Sequence, residues 1–566
     1  MKKPILTISI LVSNNYDNIK KCLDSIQQIL KQVDSELILT DTGCDEKTRA
    51  LIETYTDKII DFEWVKDFSA ARNVGLKAAS GQWFMYIDDD EYFEDVTEIV
   101  DFFNSGESEK YNVAFYIQRN YTDADGRNFV DHNVDRIIRI TPELHFEHRV
   151  HEAYTGIEIG QKKMIHSFVH HFGYVYKDEA EKLAKYSRNQ ELLEAEVREF
   201  PKDMRMRYQM AINPLSVNDY DESIRLSFDA IKIPSDSEFW DALHTNILYC
   251  YQVKKEWGKV VEYGNEFLKE KLFAYDEFGV RQYLICAYWS SGDYEKVCKL
   301  AKKVMETYRD YKKSPDKYNK NQLMRIEFWD RDHISKMILF IIDSVLHERD
   351  NNAIKSVTNL EVRDDVMELV KNDVYKNWLM QMVFGTCEDL AQIELFEQLP
   401  ICNGIWDVSL ERFVWQIDLI FPRISLDKFN LWEEWILDHL AEGTGKEMYF
   451  FAKTCDYKLR SVKYQIAGMD DASSLEFVLS MMTGFAETEM YYCEAKYGDA
   501  LDKMTEDELQ PEESLAWDIS AMVNAVDAGD VHQATEDVKT IATKAPYWGD
   551  AISFLPTYIQ LVLGGN

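Results

Sequence analysis

The sequence predicts an α/β domain followed by an all-helical region. Over the first third of the chain, apolar and β-branched runs alternate with segments of helical spacing. From about residue 178 the strand signals fade and helical periodicity continues to the C-terminus. Strands interleaved with helices are typical of right-handed βαβ units, in which a parallel sheet is covered on both faces. At 566 residues the chain also exceeds what one hydrophobic core supports, so at least two domains are expected.

The N-terminal third contains six predicted strands and three predicted helices. The strands are the apolar runs at 5–12, 36–40, 58–63, 83–87, 111–119 and 134–140. The helices are the segments of helical spacing at 18–30, 46–54 and 69–79. The segment 141–171 is less regular.

The helical region contains a repeated signature of a polar turn followed by a helix. Tyr220, Trp257 and Tyr294 follow such turns at a step of about 37 residues, close to the ~34-residue tetratricopeptide (TPR) period. This pattern resembles TPR repeats, and 528–534 is a further candidate; an all-α domain without true repeats is the alternative. We therefore expect three segments: an α/β domain at 1–177, TPR-like repeats at 178–310 and a divergent helical region at 311–566.

Composition limits the partners and the compartment. The formal charge of −36 argues against a nucleic-acid partner and disfavours adhesion to an anionic membrane face. No apolar stretch approaches the ~20 residues of a transmembrane segment. The nine cysteines are scattered without a C-x-x-C pair, which is the usage of a reducing compartment. The apolar run at 5–12 is similar to a short signal peptide, but a polar turn follows it rather than a cleavage site of small residues. We therefore predict a cytoplasmic protein.

The densest chemical signal is the acidic end of the strand at 83–87. Asp88, Asp89, Asp90 and Glu91 follow that strand directly. In open α/β sheets, ligands bind beyond the carboxyl ends of the strands. Carboxylates crowded there repel each other unless they share a cation, and Mg²⁺ or Mn²⁺ prefers such oxygen donors. The alternative interpretation is a solvated acidic turn.

Three further motifs precede this cluster in the chain. They are the polar turn S-N-N at 13–15, the turn T-D-T-G-C-D at 40–45 and the helical motif A-R-N-V-G at 71–75. In this order, the set resembles the family 2 glycosyltransferases, whose GT-A fold is a Rossmann-like nucleotide-sugar domain. The subgroup that it resembles most has D-x-D-E and a later "vHE", and it includes TPR-linked bacterial enzymes. The resemblance covers the first third of the chain, and the helical part only through domain pairing.

The resemblance implies a donor-nucleotide site. Asp41 would hydrogen-bond the base edge, with Val12 and Asn14 lining the base pocket largely through their backbone. Arg72 would contact the nucleotide and neutralise part of its charge, and Asp88 would bind the ribose. The plain alternatives are that Arg72 is a surface helix arginine and that Asp41 is a helix N-cap.

The resemblance also implies a metal site. Asp90 would be the carboxylate ligand of Mn²⁺ or Mg²⁺, with Asp89 nearby on the donor side. Removing Asp90 should abolish transfer with little effect on folding, because its side chain is expected to face a wet cleft.

Histidines concentrate in the second part of the predicted α/β domain, where seven of the twelve fall between His132 and His171. His145, His148 and His151 are evenly spaced, so a zinc site on one helix face is an alternative. Pro142 and the β-branched surroundings argue against a helix, and no cysteine or carboxylate set completes a tetrahedron.

The family pattern assigns this segment differently. V-H-E at 150–152 matches "vHE", and H-F-G-Y at 171–174 matches the later "HxGY". Inverting transfer needs a carboxylate to accept the proton of the attacking group, and Glu152 is the candidate base. His151 or His171 would complete the metal shell or contact the diphosphate, whereas His145 and His148 are expected to be structural.

The helical region suggests the acceptor. Arrays of helix pairs present a groove that commonly holds an extended peptide, so we expect a protein or peptide acceptor, glycosylated on oxygen or sulfur. The resemblance to family 2 glycosyltransferases implies UDP-glucose or UDP-N-acetylglucosamine as the donor. Two alternatives are an enzyme of cell-surface polysaccharide or lipid-linked glycan synthesis, and a non-catalytic TPR scaffold with a decayed enzyme domain. A helical solenoid that ends in exposed apolar helices could form a homodimer through them, so we keep a homodimer as a possible state.

Overall fold

The computed structural model describes residues 3–563 except 124, 174, 319–326, 403–404, 407, 421–423, 441–444 and 506–507. Its internal contacts divide the chain into two compact units, Met1–Glu256 and Trp257–Asn566. The first unit contains the sheets and the second is helical, so the predicted order of an α/β part and a helical part is confirmed. Four helices beyond residue 177 belong to the same compact unit as the sheets.

The first unit contains an eight-stranded sheet and a separate two-stranded sheet. The strands are β1 Leu6–Val12, β2 Ser35–Asp41, β3 Ile59–Asp61, β4 Trp83–Asp88, β5 Glu91–Phe93, β6 Val113–Tyr121, β7 Phe129–Arg139, β8 His145–Glu147, β9 Ala153–Thr155 and β10 Lys162–His171. The large sheet has the order β3-β2-β1-β4-β7-β6-β10-β5, and β8 pairs with β9.

The sheet is mixed, whereas the sequence predicted a parallel one. β1 is parallel to β2 and β4, and β2 is parallel to β3, as expected of βαβ units. β7, however, runs antiparallel to both β4 and β6. The short connection between β6 and β7 accounts for the second of these pairings, because parallel neighbours need a long crossover connection. The segment predicted as less regular forms β8, β9 and β10, and β10 is a ten-residue strand of the main sheet.

Five helices accompany the first strands. They are α1 Tyr16–Ser25, α2 Gln27–Gln32, α3 Glu46–Ile52, α4 Phe68–Ala78 and α5 Thr97–Asn104. The predicted helix at 18–30 is thus two helices. The core lies between these helices and the sheet, and Leu6, Ile8 and Ile10 of β1 are at most 1% exposed. β1 is buried on both faces, which explains its continuous apolar run.

Helix α4 packs closely on β1 through the motif A-R-N-V-G. A Cβ atom at Gly75 would lie 2.5 Å from the Oγ atom of Ser9, so only glycine allows this approach. Ala71 is fully buried one turn earlier on the same helix. The motif therefore serves the packing of α4 as well as its predicted chemistry, and it sets where Arg72 lies.

Four helices complete the first unit. They are α6 Glu179–Glu199, α7 Met204–Ile212, α8 Tyr220–Ile231 and α9 Glu238–Val253. α6 packs on α7, α7 on α8 and α8 on α9.

The described part of the second unit consists of helices and connecting segments. The helices are α10 Trp257–Phe267, α11 Ala274–Ser290, α12 Tyr294–Lys313, α13 Pro315–Tyr318, α14 Arg331–Glu348, α15 Ile354–Thr358, α16 Arg363–Lys371, α17 Asp373–Thr386, α18 Leu390–Glu397, α19 Leu410–Ile420, α20 Leu426–Asp438, α21 Lys446–Arg460, α22 Val462–Gln465, α23 Asp471–Tyr497, α24 Pro511–Asp527, α25 Val531–Lys544, α26 Gly549–Ile552 and α27 Leu555–Leu563. An apolar core joins α21 and α23 to α24 and α25, with Trp548 fully buried in it.

The repeated signature corresponds to one local geometry. Each of its aromatic residues is the first residue of a helix, namely Tyr220 of α8, Trp257 of α10 and Tyr294 of α12. A residue with a left-handed φ stands two positions earlier in each case: Asn218 (59°), Lys255 (57°) and Gly292 (72°). The fourth candidate shares this arrangement, with Gly529 (78°) before α25. A left-handed residue at the end of a helix turns the chain sharply, which explains why these short turns recur.

Two predictions from composition concern the whole chain. Across the described ranges, none of the helices has the length and apolar character needed to cross a lipid bilayer. All nine cysteines carry free thiols.

Candidate active site

The predicted donor residues meet at the carboxyl edge of the parallel strands. In the sheet register, Val12 of β1 lies beside Asp41 of β2, and Leu11 lies beside Asp88 of β4. The chain leaves β1 toward β2 on one side and returns to β4 on the other, so this edge is a topological switch point. Such a point opens a crevice in which ligands of α/β proteins bind.

Arg72 of α4 connects Asp88 with Glu152. Its Nη2 atom donates to Asp88 Oδ1 at 2.6 Å, and its Nε atom donates to Glu152 Oε1 at 2.6 Å. The guanidinium also lies over the Tyr86 ring, 4.5 Å from its centroid. Arg72 is 5% exposed, which excludes the surface-arginine alternative. Its Nη1 atom is buried and has no hydrogen-bond partner among the described residues.

A second arginine, Arg136 of β7, also neutralises the acidic cluster. Its Nη2 atom lies 2.8 Å from Asp88 Oδ2, and its Nη1 atom donates to Glu91 Oε2 at 2.8 Å. Burial opposes ionisation of Asp88, but Arg136 and Arg72 outweigh it and hold the pKa of this carboxyl well below its usual range. For Asp88 and Glu91, the protein itself supplies cations, since Arg136 contacts both carboxylates and Arg72 contacts Asp88.

Replacing Arg136 with methionine is expected to destabilise the first unit. The Glu91 side chain is fully buried, and removing one partner of a buried ion pair costs about 3–5 kcal/mol. The melting temperature of the first unit, monitored by circular dichroism, should therefore fall by roughly 10 °C. Arg127→Met is the matched control, because the Arg127 side chain is 80% exposed. Equal melting temperatures for the two variants would contradict the proposed ion-pair network.

Asp89 is engaged by the turn that follows β1. The backbone nitrogen of Ser13 donates to Asp89 Oδ2 at 2.7 Å, and the Ser13 hydroxyl donates to the same oxygen at 2.6 Å. Desolvation nevertheless raises the pKa of Asp89 to about 6, and the neighbouring Asp90 carboxylate adds to the rise. Asp89 thus ties β4 to β1 at the edge of the crevice.

Asp90 and His171 face each other, as a small metal site requires. Asp90 Oδ2 lies 3.5 Å from His171 Nε2, while His171 Nδ1 bonds to the Asn120 side chain at 2.5 Å. A Cβ atom at Gly173 would come within 2.3 Å of His171 Nε2, so the glycine keeps this side open. A carboxylate oxygen and an imidazole nitrogen are ligands suited to Mn²⁺. No group of three or more metal-binding side chains occurs in the part of the chain that is described. An ion held by Asp90 and His171 would therefore take its remaining ligands from the substrate.

Cationic side chains of α6 approach the same carboxylate. Lys185 Nζ donates to the Gly173 carbonyl at 2.8 Å. Burial lowers the pKa of Lys185, and Asp90 is the largest influence that opposes this decrease. Burial likewise lowers the pKa of Arg188, again against the charge of Asp90. Residues beyond the sheet domain therefore contribute to the electrostatics of the crevice.

The predicted base pocket lies at the ends of β1 and β2. Asp41 Oδ1 accepts from the backbone nitrogens of Gly43 and Cys44, at 2.9 and 2.8 Å, and Oδ2 accepts from Arg49 at 2.8 Å. Desolvation opposes its ionisation, but these hydrogen bonds lower the pKa of Asp41 to about 2. Asp41 is not an N-cap, since Asp45 caps α3. Its contact with a base remains a prediction.

Val12 and Asn14 take different positions at this edge. The Val12 side chain is buried in the core, and its carbonyl accepts from the backbone nitrogen and the hydroxyl of Thr42. Asn14 is exposed, and its Oδ1 atom accepts from the Thr48 hydroxyl at 3.3 Å. Asn14 is thus accessible at this edge, whereas the Val12 side chain belongs to the core.

The evenly spaced histidines do not form a zinc site. His145 lies in β8, and its ring contacts the Glu143 carbonyl and the Glu147 carboxylate. His148 and His151 lie beyond β8 with left-handed φ values of 75° and 54°, so the three share no helix face. His151 is exposed and directly precedes Glu152. Of the motif H-F-G-Y, Tyr174 lies outside the described residues.

Sequence reasoning missed several charged residues of the site. Arg136 stood within a predicted strand, and the charged pair Asp135-Arg136 inside an otherwise apolar run was the available signal. Lys185 and Arg205 lie on helices that were assigned to the repeat region, and no local pattern distinguishes them from surface cations.

Comparisons with known proteins agree with the predicted family. Residues 7–169 match the family model described as glycosyl transferase family 2. A TPR repeat-containing protein of Synechococcus elongatus is 31% identical over 149 residues, and the SPbeta prophage-derived glycosyltransferase SunS of Bacillus subtilis is 30% identical over 159 residues. Both matches cover 26% of this chain and 34% of the relative, so the chain spans about a third of the length of these curated relatives.

Among solved structures, TarS of S. aureus is similar over 44% of this chain and 52% of that chain, with a TM-score of 0.28 and 13% identity. TarS 1–349 in complex with UDP-GlcNAc gives a TM-score of 0.28 and 15% identity, over 44% of this chain and 86% of that chain. The family match itself ends within β10 and leaves out all of the helical region. Residues 7–169 of this chain are a domain of glycosyltransferase family 2.

Proposed function

We propose that this protein is a glycosyltransferase that moves a hexosyl group from a nucleotide-sugar to a protein or peptide acceptor, with inversion at the anomeric carbon. The observation that carries the proposal is the network in which Arg72 joins Asp88 to Glu152 at the switch point of a family 2 domain. The Arg72 network and the Asp90–His171 pair at one edge together favour an intact site over a decayed enzyme domain.

The donor would lie along the carboxyl edge from β2 to β4. In this proposal Asp41 and Asn14 would contact the base, and Asp88 would contact the ribose. The protein is strongly acidic overall, so an anionic donor needs local cations. Arg72, whose Nη1 atom has no hydrogen-bond partner within the described part of the chain, and Lys185 would supply positive charge at this edge. UDP-glucose and UDP-N-acetylglucosamine are the proposed donors.

Glu152 would act as the general base. Its carboxylate accepts the proton of the attacking hydroxyl or thiol while that oxygen or sulfur bonds to the anomeric carbon. The bond between the anomeric carbon and the diphosphate oxygen breaks, and its electron pair leaves with the nucleotide. Arg72 holds Glu152 through Nε, which orients the carboxylate without blocking its second oxygen.

Asp90 and His171 would hold Mn²⁺ or Mg²⁺. When bound, such an ion neutralises the charge that develops on the leaving diphosphate. His171 is oriented for this role by Asn120, as histidine ligands commonly are by a second hydrogen bond.

The helical region supports a macromolecular acceptor. Successive helices of the second unit pack on each other, for example α10 on α11 and α11 on α12, in the manner of helical repeats that bind extended chains.

Incubation with a radiolabelled nucleotide-sugar and a cell extract tests the acceptor class. Label in protease-sensitive material supports a peptide or protein acceptor, and label extracted into chloroform indicates lipid-linked glycan synthesis.

Donor binding is tested by thermal shift with UDP, UDP-glucose and UDP-N-acetylglucosamine, each with and without Mn²⁺. A ligand at a hundred times its Kd stabilises the folded state by about 2.7 kcal/mol, which corresponds to roughly 5–10 °C for a unit of this size. We expect the shift to need both Mn²⁺ and the nucleotide. Absence of any shift, together with absence of donor hydrolysis in Mn²⁺, would contradict the enzyme assignment and favour a binding scaffold.

A further inference from the structure

The segment that presents Glu152 has an unusual backbone. We call residues 148–152 the Glu152 loop. His148 and His151 both adopt left-handed φ values, of 75° and 54°, which residues other than glycine rarely adopt. Such a backbone persists only where surrounding contacts hold it. The contacts that hold this loop therefore decide where Glu152 lies.

A buried glutamate of α6 is the centre of these contacts. Glu196 is 2% exposed, and its carboxylate accepts from the Arg149 backbone nitrogen at 2.8 Å and from Arg149 Nη1 at 3.1 Å. The ring of His148 bonds to its other oxygen at 3.2 Å. One carboxylate thus binds the main chain and both side chains at the start of the loop.

Helices α7 and α4 hold the loop from two further directions. Arg205 of α7 donates through Nη2 to the His151 carbonyl at 2.6 Å. On α4, the Ser69 hydroxyl donates to the His148 carbonyl at 2.6 Å, and the Phe68 nitrogen donates to the Arg149 carbonyl at 2.9 Å. α4 also carries Arg72, the partner of Glu152.

We propose that helices α6 and α7 hold the Glu152 loop in its catalytic conformation, with Glu196 as the main positioning residue and Arg205 as the second. Both residues lie beyond 169, where the family match ends, so the first helices after the sheet domain complete the active site. The part of the proposal that concerns catalysis rests on the proposed function. The part that concerns the loop does not.

Hydrogen exchange of the full chain tests the positioning directly. In Glu196→Ala, the amides of residues 150–153 should exchange at least tenfold faster than in the wild type. Glu194→Ala is the matched control, because Glu194 is exposed on the same helix. Wild-type exchange in the loop of Glu196→Ala would overturn the proposal. An equal acceleration in β1 would do so too, since Glu196 would then stabilise the whole unit rather than the loop. Glu196→Gln, which retains one acceptor oxygen and the side-chain volume, should give an intermediate rate, and it replaces the alanine variant if that variant does not fold.

Hydrolysis of UDP-glucose and UDP-N-acetylglucosamine in Mn²⁺ tests the consequence for catalysis, with water as the attacking group. UDP titration by calorimetry counts the folded sites. Per counted site, Glu196→Ala should lose at least tenfold in kcat with a donor KM within twofold of the wild type, and Glu196→Gln should recover part of the loss. Unchanged kcat per site would overturn the catalytic link. If the wild type hydrolyses no nucleotide-sugar, the proposed function fails, whereas the exchange result still decides the positioning.

Discussion

Replacing Glu152 with glutamine is expected to lower kcat for sugar transfer or donor hydrolysis by roughly 10³-fold, within the range attributed to general bases. The amide oxygen still accepts the hydrogen bond from Arg72 Nε, so the side chain keeps its place, but it no longer takes up a proton. Arg72 also retains its partner Asp88, and the unit should melt close to the wild type. Initial rates of UDP release measure the loss, and UDP titration should show unchanged binding.

Glu147→Gln is the matched control for this variant. Glu147 lies in β8, five positions earlier in the chain, and its side chain is 54% exposed. Its activity should equal that of the wild type. If Glu152→Gln retains activity within threefold of the wild type while Glu147→Gln is unaffected, another group takes the proton and the assignment of the base is wrong.

Replacing Asp90 with alanine is expected to abolish the activity that depends on Mn²⁺. The proposed ion would stabilise the leaving diphosphate by several kcal/mol, and a loss of about 4 kcal/mol corresponds to roughly 10³-fold in rate. The variant should also lose the nucleotide-induced thermal shift in Mn²⁺. Its own melting temperature should stay near that of the wild type, because the Asp90 side chain is 31% exposed and faces the crevice.

Asp57→Ala is the control for the charge change, because Asp57 is exposed away from the acidic cluster in sequence. It should retain both the rate and the thermal shift. Full transfer by Asp90→Ala in buffer freed of metal by chelation would show that this carboxylate does not bind the ion, and the protein cations around Asp88 would then carry the electrostatic stabilisation.

Much of the fold and part of the site could be predicted from local patterns. The fully apolar run of β1 reflects a strand buried on both faces, and the abrupt change after Ile87 marks the end of β4. The motif A-R-N-V-G, through the family resemblance, indicated that Arg72 lies near the acidic cluster, and the structure shows it bonded to Asp88. The strand inferences succeeded because burial and polarity along one strand can be read from adjacent residues.

The mixed sheet and the pairing of charges could not be predicted in this way. The antiparallel β6–β7 hairpin inserts β7 beside β4, and this placement brings Arg136 onto Asp88 and Glu91. Among the histidines of the second cluster, His171 faces Asp90 because β10 joins the sheet beside β5 and β6. No periodicity in the sequence records such neighbours.

By itself, the sequence determined that strands and helices alternate before a helical region, and that a carboxylate cluster closes one central strand beside an arginine-bearing helix. Only the tertiary structure decided which cations neutralise that cluster, which histidine meets Asp90, and that Glu196 and Arg205 of later helices hold the loop of Glu152. The reason is physical: burial and periodicity are properties of adjacent residues, whereas an ion pair or a loop contact forms between side chains that only the folded path of the chain brings within hydrogen-bonding distance.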